Sequence, residues 1–399
     1  MEKISCDSED EGVFMRPIAK GIAVLALMGA NPAFAQDGFR FTLPAEVTIG
    51  RDYGFLVHNN QKLSDTITMI RPPQLTFSNK SPRTDFTASY QPEIELFDNH
   101  RDLNALNHTG SASFTARITE RLLFNVTNDA LMTQDPTRSI AGSLAFLPRQ
   151  SFKQNMAHVA VNYAVNRRNT VGINFDNVAA TGGVRNAGTV FLAHAFGRMQ
   201  TVTATYSRLE ANAQFVGVAY QNQFGQDLMV HLSTGLLKDR GENYLLSGQV
   251  AKRLRAVWVG GGYNRFFSTF GTSISGGVPI GNDLVLPVDA GRTNVYQVLS
   301  TEVSGRVSSR VGLEMAAAVT KNSGTAGRDV NNVSCRFKLD VGITERLKIL
   351  ADLQLYNQSF TDYVGSAIAR RRYLAGIQFD ISPRRNLFNV PKPTKPTQR

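Results

Sequence analysis

Charged residues recur in this chain at alternate positions of segments whose intervening residues are apolar. The bases are Arg117, Arg306, Arg336, Lys338 and Lys348; the acids are Glu93, Glu95, Glu302, Glu314, Asp340 and Asp352. Residues 334–356 show the pattern most plainly. Cys335, Phe337, Leu339, Val341 and Ile343 alternate with Arg336, Lys338, Asp340 and Gly342. After a Thr344-Glu345-Arg346 turn, Leu347, Ile349, Ala351, Leu353 and Leu355 alternate with Lys348, Leu350, Asp352 and Gln354. Successive side chains of extended backbone point to opposite faces, so this is a hairpin with one apolar and one charged face. Charges of both signs around a common aqueous space set up a field that discriminates between charged solutes. The same charges, paired with one another, would only solvate the wall.

Catalysis makes a different demand: a nucleophile within reach of a histidine that is itself oriented by an acid or amide. His58, His100, His108, His158, His194 and His231 stand beside no nucleophile motif; His158 and His231 fall on polar faces, and the side of His194 is left open. G-x-S-x-G, H-E-x-x-H and a phosphate-binding glycine loop are all missing from the sequence. The loop acids Asp98, Asp102, Asp135 and Asp329 lack the spacing of a calcium-binding loop. No enzyme activity, cofactor or metal centre is expected.

The elements that must carry the charged faces are strands. Between residues 112 and 381 alternating segments are separated by short reversals at 119–121, 166–169, 197–200, 224–227, 253–255, 307–310 and 344–346, with Arg or Lys in or beside nearly all of them. The connections between these hairpins are longer, 132–155 and 268–293 most of all. Three earlier segments read as strands: 45–57, 65–77 (interrupted by Pro72 and Pro73) and 85–97. Proline removes a ladder donor, so an irregularity is expected at Pro72-Pro73.

Composition and termini place the strands. Arg16 and Lys20, an apolar run over 21–30 and Ala33-Phe34-Ala35 have the order of a secretory signal peptide, with cleavage after Ala35. Its apolar run is too short to span a bilayer. Residues 1–14 are acidic and read as a mis-assigned start, with Met15 the initiator. The formal net charge is +11, and removal of the leader takes away more acids than bases. A basic exported chain points to anionic surfaces or solutes and away from nucleic acid. Cys6 leaves with the leader and Cys335 stands alone, so no disulfide is expected.

Short turns alternating with long connections are the mark of an outer-membrane barrel, with short turns in the periplasm. The expected fold is all-β: a closed antiparallel transmembrane β-barrel of about 18 strands, or about 16 if 45–57 and 65–77 are not strands. The outward sets Leu313, Met315, Ala317, Val319; Val159, Val161, Tyr163, Val165; and Tyr373, Ala375, Ile377, Phe379 carry no charge. Phe97, Phe175, Trp258, Tyr263, Phe266, Phe267, Tyr356 and Phe360 lie near strand ends and are assigned to interfacial girdles. The resulting organisation is a leader (1–35), a short lead-in (36–44), the barrel (45–382) and a basic, proline-rich periplasmic tail (383–399).

Gly376, Phe379 and Ile381 resemble the C-terminal recognition signal of bacterial outer-membrane barrels, although Leu374 stands where a polar residue is usual and a tail follows. Gly50-Arg51-Asp52, Ser64-Asp65-Thr66-Ile67-Thr68, Pro82-Arg83-Thr84-Asp85 and Tyr90 resemble a family of Gram-negative β-barrel porins that often accompany exopolysaccharide export genes. The likeness covers residues 45–130. It implies a bacterial outer-membrane pore that passes or assists a surface polysaccharide, with membrane lipid, polysaccharide and periplasmic export components (through the tail) as partners. The expected function is a porin-like channel for an anionic solute or exopolysaccharide. A structural or adhesive barrel with a closed lumen is the first alternative, and a barrel hydrolase the second.

Overall fold

The computed structural model describes residues 39–56, 62–135, 149, 151–180, 183–197, 199–209, 213–225, 227–239, 241–268, 294–323, 329–360 and 368–379. The leader, the tail and the connection over 269–293 lie outside the described residues.

The strands, in chain order, are β1 (Phe39–Leu43), β2 (Ala45–Leu56), β3 (Lys62–Arg71), β4 (Gln74–Lys80), β5 (Thr84–Phe97), β6 (Ala105–Arg117) and β7 (Leu122–Thr133). They continue as β8 (Phe152–Ala164), β9 (Asn169–Ala180), β10 (Gly183–Ala195), β11 (Gln200–Leu209), β12 (Gln214–Phe224), β13 (Leu228–Asp239) and β14 (Gly241–Leu254). The last six are β15 (Val257–Ser268), β16 (Asn294–Arg306), β17 (Val311–Ser323), β18 (Asp329–Gly342), β19 (Leu347–Phe360) and β20 (Ile368–Phe379).

Each pairs antiparallel with its neighbours, and β2 pairs with both β3 and β20, so the sheet closes on itself. Closure is what allows strands to cross a bilayer, because no backbone donor or acceptor is left facing hydrocarbon. Two barrel strands are each built from two segments. The β1–β2 strand is broken at Pro44, and the β3–β4 strand at Pro72-Pro73, with β3 and β4 pairing to successive stretches of β5. The barrel therefore has 18 strands. Pro72 and Pro73 sit where the sequence placed an irregularity, for the reason given: neither can donate to a ladder; the break at Pro44, and the strand β1 before it, lie in the stretch read from the sequence as a lead-in.

Side chains alternate as the pattern requires. Ile173, Leu236 and Val319 on the outer face are 60%, 67% and 51% exposed, while Glu95, Leu350 and Arg372 on the inner face are buried. Charge returns to the outside only toward the strand ends. At the end remote from the short turns, Arg51 lies over the Tyr53 ring at 5.4 Å and Arg265 over Tyr244 at 4.0 Å. Arginine on an interfacial tyrosine suits the border between lipid tails and headgroups.

The short reversals fall where expected, all at the end that carries Ala45 and Phe379. The opposite connections are less uniformly long than the sequence suggested: β9 and β10 are joined by residues 181–182, and β13 and β14 by residue 240. These hairpins keep their ladder to the tip, pairing Ala180 with Gly183 and Asp239 with Gly241, which leaves little chain for a loop.

The seam between β2 and β20 runs from Ala45↔Phe379 to Tyr53↔Arg371. Here the backbones approach so closely that a Cβ on Gly50 would overlap the Tyr373 carbonyl oxygen, and one on Gly376 would overlap that of Val47. Gly54 adopts φ 73°, a left-handed conformation that shifts the β2–β3 register. Replacing Gly50 or Gly376 by valine is expected to weaken closure by at least about 1–3 kcal/mol, the usual effect of overpacking. The check is the urea midpoint for loss of the compact, heat-modifiable gel form, which should fall for both variants and stay put for Gly188→Val, where a Cβ meets nothing.

Candidate functional site

Closure brings residues from the two chain ends together inside the barrel. Arg370 and Arg372 occupy alternate positions of β20, both facing inward, and Asp52 lies opposite Arg372 in the ladder. Arg370 Nε and Nη2 donate to Asp52 at 2.9 and 2.6 Å, and Arg372 Nε and Nη2 donate to Asp52 Oδ2 at 2.9 and 2.6 Å. The β7–β8 connection supplies Asp135 and Arg149, and β5 supplies Glu95. Asp135 accepts from Arg370 Nη2 at 2.9 Å and from Arg372 Nη2 at 3.1 Å. Arg149 donates to Glu95 Oε2 at 2.7 Å and lies 3.7 Å from Asp135. All six side chains are at most 5% exposed. Among the described residues, three guanidinium groups thus face three carboxylates in a compact, buried network.

An apolar cluster lies beside it. Phe55, Ile67, Met69, Phe97 and Leu374 are buried together, and Arg149 sits 4.7 Å over the Phe97 ring. This corrects the assignment of Phe97 to an interfacial girdle. Tyr356 likewise pairs in register with Arg370 and shares its inward face; Phe175, at 48% exposure, is on the outside as assigned. The cluster also accounts for Leu374, whose apolar side chain at a usually polar position has apolar neighbours to meet. A third tie fixes the β5–β6 connection: Asp65 on β3 accepts from the Asn99 and His100 backbone amides at 2.9 Å each, and from Asn99 Nδ2 at 2.6 Å.

The charged residues read from the sequence divide by their partners. Arg336 pairs with Asp352 at 3.0 Å and approaches Glu314 at 3.9 Å; Lys348 pairs with Asp340 at 3.0 Å. Glu93 is held by Arg71, which also reaches Glu46 at 3.4 Å, and Glu95 belongs to the buried network. Among the described residues, Lys338, Arg117, Arg306 and Glu302 make no ion pair. Lys338 lies in register between Glu314 and Asp352, whereas Arg117 and Arg306 end their strands at the short-turn rim. His158 bonds Asp176 at 2.6 Å, and His231 is buried on β13. His194 bonds Asn169 at 2.7 Å.

Asp52, Asp135, Arg149, Arg370 and Arg372 were not singled out from the sequence as wall residues. One signal pointed to part of the set. In any closed barrel the first strand neighbours the last, and alternation puts Arg370 and Arg372 opposite the outward Tyr373, so an inward acid near Asp52 was required.

The uncharged outer belt and the closed antiparallel ladder define an outer-membrane β-barrel, and place the chain in the bacterial outer membrane. No protein-family model matches the sequence, and no curated protein does. Among solved structures, the barrel is similar to Pseudomonas aeruginosa OpdL (12% identity, TM-score 0.46, covering 86% of this chain and 98% of that one). It is also similar to Acinetobacter baumannii OccAB4 (11%, 0.47, 88% and 100%) and P. aeruginosa OccK11 (12%, 0.47, 87% and 96%). At this level the likeness concerns barrel form and assigns no solute.

Burial opposes the charged form of Asp135, yet Arg370, Arg372 and Arg149 together hold its carboxyl well below the ordinary range. Its stabilising contribution is therefore complete above the ordinary aspartate pKa of about 3.9 and is lost only as pH falls below that value. The urea midpoint of the folded barrel should show no acid-induced change attributable to this tie between pH 8 and about 4. Asp135→Asn is expected to destabilise the fold by about 3–5 kcal/mol, because it leaves buried guanidinium charge uncompensated. Urea unfolding of the detergent-solubilised protein measures that loss.

Proposed function

We propose that the protein is a passive outer-membrane channel for small anionic solutes. The observation that carries the anion preference is the charge left over after pairing. Of the wall residues named from the sequence, Lys338, Arg117 and Arg306 make no ion pair among the described residues, against Glu302 alone among the acids. The pairs Arg336–Asp352 and Lys348–Asp340 contribute dipoles and little net potential. Bases without an ion partner on the wall and rim of a water-filled lumen lower the entry barrier for anions.

The exopolysaccharide cargo implied by the resemblance gains no support from the residues that carried it. Gly50 and Asp52 build the seam, Asp65 ties down the β5–β6 connection, and the Pro82-Arg83-Thr84 stretch forms a turn closed on Ser81. These are structural duties, and they select no polymer.

Planar-bilayer recording of the refolded barrel tests the reading. A steady conductance with a reversal potential favouring anions in a salt gradient is expected. Lys338→Gln should move that potential toward cations, and Glu302→Gln should move it the other way. A correctly folded barrel that inserts and passes no current would end the channel reading in favour of a structural barrel.

A further inference from the structure

Four of the short turns repeat one four-residue cassette: an exposed aliphatic residue, a side chain that closes the turn, a variable residue and an arginine. They are Ile118-Thr119-Glu120-Arg121, Val165-Asn166-Arg167-Arg168, Val307-Ser308-Ser309-Arg310 and Ile343-Thr344-Glu345-Arg346. The second residue does the local work. Thr119 Oγ1 accepts from the amides of Arg121 and Leu122 at 3.2 and 3.0 Å, and Asn166 Oδ1 from those of Arg168 and Asn169 at 2.8 and 2.9 Å. Ser308 and Thr344 do the same for Arg310–Val311 and Arg346–Leu347. Such a turn needs its hydroxyl or amide acceptor and makes no demand on the side chain two places on. Yet that side chain is arginine each time, exposed, and without an ion pair among the described residues.

The first residue is just as telling. Ile118, Val165, Val307 and Ile343 are 56%, 44%, 63% and 49% exposed at the very edge of the turn. An aliphatic side chain held there gains only if hydrocarbon reaches it. Lipid tails at this residue put the headgroup phosphates beside the arginine three positions later, and guanidinium binds phosphate in a two-point geometry.

We propose that the short-turn rim is a binding site for the phosphate headgroups of anionic phospholipid in the inner leaflet, with Arg121, Arg168, Arg310 and Arg346 as its cations. The apolar edge favours lipid over a soluble acidic protein, which would meet arginine without needing the aliphatic beside it.

Native mass spectrometry of the full barrel in detergent, with added phosphatidylglycerol or phosphatidylcholine, tests the assignment. Wild type should retain phosphatidylglycerol about tenfold more than phosphatidylcholine, given that each base near an anionic surface adds appreciably to binding. Replacing the four arginines by glutamine should erase the preference, and replacing them by lysine should keep most of it. The turns should survive, since their bonds come from Thr119, Asn166, Ser308 and Thr344; heat-modifiable mobility checks this. The pairs R121Q/R168Q and R310Q/R346Q, each expected to lower retention partway, serve if the fourfold variant does not fold. Equal retention of the two lipids by wild type overturns the proposal. So does a preference that survives the glutamine set, or one abolished instead by neutralising Arg51, Lys238, Arg265 and Arg371 at the opposite end.

Discussion

Hydrocarbon offers no partner to an amide, so a sheet that crosses a bilayer must have no edge, and its first and last strands must meet. Here that constraint falls on β2 and β20, residues from opposite ends of the chain. Two glycines permit the approach: Gly50 beneath the Tyr373 carbonyl and Gly376 beneath that of Val47. Once the ladder is formed, Asp52 and Arg372 are neighbours by register and Arg370 stands one inward position above them. The buried network, the apolar cluster around Leu374 and the anchoring of the β7–β8 connection all follow from that meeting.

A network of six buried charges is not an economical way to hold a connection in place. Removing each ion from water is expensive, and well-packed apolar side chains of similar volume are often at least as stabilising. What ions provide is position. Each Asp52 and Asp135 oxygen has a specific guanidinium donor, so the connection has one seat on the wall, whereas the neighbouring cluster of Phe55, Ile67, Met69, Phe97 and Leu374 would tolerate sliding. Directional bonds fix the register and the apolar contacts add area around it. The same division holds at Asp65, whose carboxylate collects the amides of Asn99 and His100 and sets the β5–β6 connection over β3.

The belt, the short turns and the strand count were legible because they are local. Alternation is read within a dozen residues, and a Ser, Thr or Asn two places before an arginine marks four of the short turns. The seam network was not, because it joins residues 52, 95, 135, 149, 370 and 372, and nothing short of closure brings them together. Phe97 and Tyr356 teach a narrower lesson. Both were placed outside on residue type, as aromatics near strand ends. Parity already put Phe97 with Glu93 and Glu95, and Tyr356 with Asp352 and Gln354, on the inward face. Where type and period disagree in a strand, the period is imposed by backbone geometry and prevails.

The charges of this chain therefore fall into populations that a net charge of +11 blends together. Arg370, Arg372 and Arg149 are consumed by the acids that hold the wall, and Arg336 and Lys348 are largely matched across neighbouring strands. The turn arginines Arg121, Arg168, Arg310 and Arg346 are exposed at the short-turn rim and make no ion pair among the described residues. Under the proposed channel reading, the wall residues named from the sequence that remain for a solute are Lys338 on the wall and Arg117 and Arg306 at its rim, set against Glu302. An electrostatic account of such a barrel wall has to begin by subtracting the charges that the fold has already committed, since only the uncommitted ones can trade a protein partner for a solute.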